Sequence, residues 1–488
     1  MQETKPPAHR RRPRLVVPSR SDLLLRNFTE LIGGPLGSRS APGIVSPGAF
    51  TVERVLIIMT VLAALAGIVV KGYCRVNGWE SPSQFYSTCY SDFPELFRNR
   101  GLGEGTFPFI SQGSMFEYPV LMGLIAGITA LMVPGEGVSD ARILGYFDVN
   151  ATLIAAVWIV TVLATARMTR RRPWDAAMVA LAPGIVLAGT INWDMWAVGF
   201  LALGMYFFSR ERLVLAGVLI GLGTATKLYP VLIFGAILLL ALRTGRIRTF
   251  LVTAAAAAVS WLAVNVPFAA MNPSGWKYFY QFTEDRPAGY SSLWFAYNLV
   301  AARLRWKGLD AETINSLALN LFVLACVAIA VVALTASRRP RLAQLVFLIV
   351  AAFILTNKVY SPQFVIWLIP LLALARPRWR DFLIWQGIEG LHWAAVWMYL
   401  GQVTSGGSSQ HNIDMPYYVL AVAAHMLATA YLMVRVVWDI YDPVYDPVRR
   451  QDPDDPQGGP FDGAPDTLRI NLRRPLESLF PWGAKANA

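Results

Sequence analysis

The chain predicts an all-α polytopic membrane protein with about twelve transmembrane helices. Three observations predict it. Of 488 residues, 55% are hydrophobic and only 15% charged, where a soluble domain carries about a quarter charged residues. The apolar residues gather in runs near the length that crosses a bilayer, about 20 residues as a helix. No series of short alternating strands of the kind that builds a membrane barrel is present. Mean hydropathy is +0.44. The net charge of +12 sits in short basic clusters between the runs, which suits membrane topology and anionic headgroups better than nucleic acid.

Residues 1–50 are rich in Pro, Arg and Ser, and the run His9-Arg-Arg-Arg-Pro-Arg14 marks a disordered basic cytoplasmic arm. A cleaved signal peptide is excluded, because the first apolar run starts too late and is too long. Residues 51–440 form the transmembrane domain. Val55–Val70 crosses outward, since positive residues precede it. Lys71 to Glu117 is the longest polar stretch between the first and last helices, and loops of that length inside a compact unit are usually functional. Tyr118–Val133 is apolar, yet Ile143–Ala166 must end inside at Arg167-Met-Thr-Arg-Arg-Arg172. Parity therefore lays Tyr118–Val133 along the outer interface or makes it re-entrant. Further crossings follow at Ala176–Ile191, Met195–Phe208, Leu213–Thr226, Leu228–Leu242 and Phe250–Phe268. A polar, aromatic loop from Met271 to about Asp310 precedes Ile314–Ala336, Leu342–Leu355, Phe364–Ala375, Phe382–Leu400 and Tyr417–Trp438. Both ends are then cytoplasmic. Residues 441–488, with Tyr-Asp-Pro-Val repeated at Tyr441 and Tyr445, form a disordered cytoplasmic tail.

This topology gathers the unusual polar residues on the outer side. Asp92 stands in Tyr86-Ser-Thr-Cys-Tyr-Ser-Asp-Phe-Pro94, directly after the first crossing, and is the candidate working carboxylate. The bland alternative is a turn-forming Asp before Phe-Pro. Glu117, Asn192, Asp194, Lys227, Lys358 and Gln363 lie at other outer ends or loops, and ionisable groups at membrane depth usually line a cavity or a path. Each has a structural alternative: Glu117 at a helix start, Asn192-Trp-Asp194 as a tight turn, the lysines reaching headgroups. Two outer lysines, each near Tyr and Pro, suit a phosphate. Cys74 and Cys89 share the Asp92 loop, and a disulfide forms between them if that loop faces an oxidising compartment; Cys326 reads as inert packing. Of the four His, His392 and His425 read as packed or paired within helices, and His411 as a weak outer-loop candidate. No His/Cys/Asp spacing suggests a zinc site, although Asp92 and Asp194 could share a divalent cation if the fold brings them together. There is no P-loop and no Gly-x-Gly-x-x-Gly fingerprint.

Tyr90-Ser-Asp92, Glu117-Tyr-Pro119, Asn192-Trp-Asp194, Thr226-Lys-Leu-Tyr-Pro230 and Asn357-Lys-Val-Tyr-Ser-Pro-Gln363 occur in an order that resembles the C-type glycosyltransferases. Within them the chain resembles glycosyltransferase family 87, which includes the polyprenyl-phosphate-mannose-dependent α-mannosyltransferases of actinobacteria. The resemblance runs from about Val55 to about Trp438. It implies an outer-face catalytic loop in the plasma membrane. A sugar, mannose or else arabinose, would pass from a polyprenyl-phosphate donor to a cell-envelope glycolipid or glycan, with inversion. It also implies that Asp92 is the general base and that the segment after the first loop lies along the membrane. Glu117, Tyr118, Asn192, Asp194, Lys227, Tyr229, Lys358, Tyr360 and Gln363 are the substrate-binding candidates. A lipid-linked donor accounts for the missing nucleotide-binding domain.

Two other classes compete. A transporter of lipids or sugars would show an internal repeat and broken helices meeting at the midplane; no convincing repeat is present. A non-catalytic scaffold for envelope assembly would make Asp92 dispensable.

Overall fold

The computed structural model describes residues 23–24, 51–406, 412–449 and 454–470. Nearly all of the amino-terminal arm, His411 and residues 471–488 lie outside them. The described residues are helical, with no strand among them.

The first long helix, α1 (Val52–Val70), begins where the Thr51 hydroxyl accepts from the Arg54 backbone N–H, an ordinary N-cap. The loop that follows holds the eight-residue helix α2 (Asp92–Asn99). Next comes α3 (Val120–Leu131), whose 12 residues span about 18 Å, well short of a hydrocarbon core of about 30 Å. The 29-residue α4 (Asp140–Met168) runs the whole depth of the molecule. At its start Arg142 bonds the Gly103 carbonyl; at its end the Met168 carbonyl accepts from Gln457.

The expected crossing Ala176–Ile191 is not one helix. It is a 3-10 turn (Pro173–Ala176) followed by two short helices, Ala177–Ala180 and Pro183–Ala188. Pro183 lacks the N–H that would continue the ladder, and its ring excludes an α conformation just before it. The Gly184 N–H bonds the Gln386 side chain instead. The following elements are α5 (Asp194–Ser209), α6 (Leu213–Thr226), α7 (Ile233–Thr244) and α8 (Ile247–Met271). The Met271–Asp310 stretch is also not a plain loop. It contains α9 (Pro273–Asp285) and α10 (Leu293–Leu304), capped by Asn272 and Ser292. The rest are α11 (Ala311–Thr335), α12 (Leu342–Thr356), α13 (Val365–Ala375), α14 (Trp379–Thr404) and α15 (Met415–Tyr441).

Five helices, α1, α4, α8, α11 and α15, are long and apolar enough to cross a membrane. They expose large apolar side chains such as Val69, Val259, Leu324 and Leu427, as a lipid-facing surface does and a soluble one does not. The shorter apolar helices differ. Every residue of α13 is buried, and so is most of α12. Short or broken segments are tolerated at membrane depth where protein surrounds them. The expected count of about twelve separate crossings is therefore not what helix length alone displays.

The described part of the tail is packed, in contrast to the expected disorder. Asp446 forms a fully buried ion pair with Arg341 (2.8 Å). Asp454 and Asp466 meet Arg339 at 2.6 and 2.9 Å, and Asp466 also meets Arg243 at 2.8 Å. Arginines at the start of α12 and the end of α7 thus supply the partners that a Pro- and Asp-rich segment lacks by itself. Arg170 joins them through Asp462. All these arginines share one face of the molecule, at the opposite end of α4 from the Asp92 loop.

Candidate active site

The backbone brings the two conspicuous acids together. Ser91 caps α2 and donates its hydroxyl proton to the Thr190 carbonyl at 2.8 Å, and the Asp92 N–H donates to the Ile191 carbonyl at 2.7 Å. The Asp92 loop is therefore clipped to the strip that leads directly into Asn192-Trp-Asp194. Phe93 and Trp193 pack at 4.8 Å behind it, and the Trp193 indole N–H is held by Asn150 at 2.6 Å.

The Asp92 carboxylate accepts from the Tyr118 hydroxyl at 2.7 Å. It remains touched by solvent although protein surrounds most of it. That burial raises its pKa; hydrogen bonds from Tyr118 and Tyr90 and the charge of Lys227 pull it back, and nearby Asp194 pushes it further up. A carboxylate so placed is a better proton acceptor near neutral pH than a free Asp.

Lys227 leaves the end of α6 and pairs with the fully buried Asp194 at 2.8 Å. Its ammonium lies 5.0 Å from the Tyr118 ring, 5.5 Å from Phe364 and 5.9 Å from Trp367, each a favourable cation–π distance. The second oxygen of Asp194 accepts from the Trp367 indole at 3.0 Å. Tyr229 stacks on Trp367 at 4.2 Å. Asn192 caps the Asp194 N–H at 3.0 Å, while its own buried NH2 has no hydrogen-bond partner. Asp194 is thus engaged by an ammonium and an indole.

The remaining candidates separate. Glu117 is held by Arg100 in a two-point pair at 2.7 and 3.0 Å. Lys358 does not join the Asp92 cluster. Its ammonium donates to the Glu284 carbonyl at the end of α9 (2.7 Å), and its own carbonyl accepts from Gly289. Burial and the neighbouring Arg286 lower its pKa. Tyr360 packs on His425 at 4.5 Å, and Gln363 is buried in the turn Pro362–Phe364. Cys74 and Cys89 lie at disulfide-bonding distance, with Cα atoms 5.8 Å apart.

Sequence reasoning missed Lys71. It is fully buried and donates to the Tyr90 carbonyl at 2.7 Å. Burial lowers its pKa to about 7, with Asp92 pulling the other way. A lone lysine ending the first apolar run was the available signal. Also missed was the convergence of Glu389, His392 and His425, whose ligand atoms all lie within 4.8 Å of one another. A cavity of about 440 Å³ opens between α1 and α4, lined by Leu65, Ile68, Trp158 and Ile185, and it ends at Gly189 and Thr190 behind the Asp92 loop.

No curated protein matches the chain. Among solved structures, the crystal structure of ArnT from Cupriavidus metallidurans bound to undecaprenyl phosphate is similar, with 15% identity over 72% of each chain and a TM-score of 0.39. The profile of glycosyltransferase family 87 matches residues 116–362, about half of the chain, with three of the five motifs above in full and the Asn357–Gln363 motif up to Pro362. The chain belongs to glycosyltransferase family 87.

Proposed function

We propose that this glycosyltransferase moves a sugar, mannose or else arabinose, from a polyprenyl-phosphate donor to a hydroxyl of a cell-envelope glycolipid or glycan, with Asp92 as general base and inversion at the anomeric carbon. The observation that carries this is the Asp92–Tyr118–Lys227–Asp194 cluster: one basic carboxylate takes the Tyr118 hydroxyl and one oriented ammonium lies over its ring. The acceptor hydroxyl gives its proton to Asp92 as its oxygen bonds the anomeric carbon. The bond from that carbon to the phosphate oxygen breaks, and the electron pair leaves with the polyprenyl phosphate. A single displacement of this kind needs one carboxylate, where retaining hydrolysis needs two. Tyr118 orients the carboxylate. Lys227, steered by Asp194, faces the negative charge that develops on the leaving phosphate. Lys358 with Arg286 forms a second cationic point for the donor headgroup. The apolar cavity beside α1 and α4 suits an isoprenoid chain.

The cluster lies on the outer face, both termini are cytoplasmic, and the short buried helices complete about twelve crossings. The convergence of the basic clusters on one end of the molecule supports this orientation. Impermeant labelling of Arg171→Cys in a background without native Cys tests it; labelling from outside refutes it. The reaction is tested by incubating purified protein with a small panel of polyprenyl-phosphate sugars and envelope glycolipids. Transfer from a mannosyl or arabinosyl donor is expected. Failure of every polyprenyl donor alongside transfer from a nucleotide sugar refutes the donor class.

A further inference from the structure

We propose that Glu389, His392 and His425 form a binding site for a divalent transition metal of the zinc type, separate from the Asp92 cluster. Glu389 and His392 are three residues apart on α14, so they share one face; His425 comes from the facing helix α15. All three side chains are nearly inaccessible, at 4%, 1% and 0%. Neither ring nitrogen of His392 has a hydrogen-bond partner. In a buried setting that is a costly arrangement for an imidazole, which always carries at least one N–H.

His425 narrows the chemistry. Its Nε2 lies 3.1 Å from the Ser291 carbonyl, and a carbonyl only accepts, so Nε2 bears the hydrogen. In the neutral ring, Nδ1 then presents a bare lone pair, and it lies 3.5 Å from Glu389 Oε2. Two lone pairs facing each other in a dry site need a cation between them, either a proton or a metal. The other Glu389 oxygen accepts from the Trp385 indole at 3.1 Å and the Thr429 hydroxyl at 3.4 Å. Outer hydrogen bonds of this kind orient a ligating carboxylate, as the Ser291 carbonyl orients the ligating imidazole. A proton shared with Glu389 would satisfy His425 but leave His392 unserved, and the metal serves all three. Two imidazoles and one carboxylate are a donor set that suits zinc and leaves a fourth position open. Tyr360, whose ring lies 4.5 Å from His425 and whose hydroxyl is near Glu389 and Thr429, is the adjoining polar group. The imidazoles stack at 3.7 Å with planes 6° apart, so metal entry turns the His392 ring out of the stack. The metal would tie α14 and α15 together beside the Asn357–Gln363 loop.

The test uses the full chain purified in detergent from zinc-replete cells. Elemental analysis is expected to find about one zinc per chain. After chelation, Co2+ titration of the same protein is expected to give the visible absorption bands of a four-coordinate site. His392→Ala and His425→Ala should lose the metal and the bands, and Asp92→Asn should keep both. Wild-type protein without zinc and without cobalt bands overturns the proposal and assigns the cluster to an imidazolium–carboxylate pair. Metal that persists in both His variants overturns it equally. The wild-type measurements stand even if a His variant fails to fold.

Discussion

Asp92→Asn separates catalysis from folding at this site. Asn keeps the size of the side chain and an oxygen for the Tyr118 hydroxyl, which now lies 2.7 Å from the carboxylate. It cannot take the acceptor's proton. Losing a general base costs about 10²–10⁴-fold in rate, roughly 3–5 kcal/mol in the barrier. The effect on stability runs the other way. Burial raises the Asp92 pKa from its ordinary 3.8, so the ionised carboxylate is worse accommodated in the folded chain than in the unfolded one. The stability tied to this group is complete below its unfolded pKa and is lost as pH rises through the folded value. Asp92→Asn removes that loss. The variant should melt with wild type in acid and at or above it at neutral pH, while its turnover collapses. The wild-type rate should fall on the acid side with an apparent pKa above that of a free Asp. The assay is turnover of purified protein against a polyprenyl-phosphate sugar across a pH series, with thermal melts of the same preparations. Near-normal turnover of the variant refutes the assignment, because a turn-forming Asp is replaced by Asn without penalty.

Lys227→Ala leaves the fully buried Asp194 without its cation, so it should destabilise the protein by about 3–5 kcal/mol; the Asp194→Asn double variant should recover most of that stability but not activity, as read by melts and turnover. Peptide mapping without reduction should recover Cys74 and Cys89 as one linked species from native membranes, and two free thiols would remove the bond. Arg341→Ala strands the buried carboxylate of Asp446 and should likewise cost about 3–5 kcal/mol, with faster hydrogen exchange confined to residues 442–449 and 454–466. Asp455, whose pKa burial raises to about 6, holds the Leu342 N–H at 2.6 Å; the stability it contributes to docking is complete below about pH 4 and is lost as pH rises through about 6, which hydrogen exchange of the tail over that range should follow.

The sequence by itself determined the helical membrane class, because hydropathy is a property of local windows and needs no knowledge of neighbours. It also isolated Asp92, since an acid in a long polar loop stands out against apolar runs, and it paired Cys74 with Cys89 through their shared loop. The parity of basic clusters set Tyr118–Val133 apart from the expected crossings; helix length does not, since α3 and α7 both have 12 residues. Only the tertiary structure decided what Asp92 lies beside. The Lys227–Asp194 pair joins residues on α6 and α5, and the Trp367 indole reaches Asp194 from 173 positions away. Lys227 and Lys358 read alike in sequence, but one enters the cluster and the other turns to the Glu284 carbonyl. Lys71 and the Glu389–His392–His425 group were hidden for the same reason. Their surroundings are built by helices that lie next to each other in space, and a charge or an imidazole takes its chemistry from whatever surrounds it after packing. The tail shows this most plainly: its acids have no local partner, and order comes from arginines that the fold alone collects on one face.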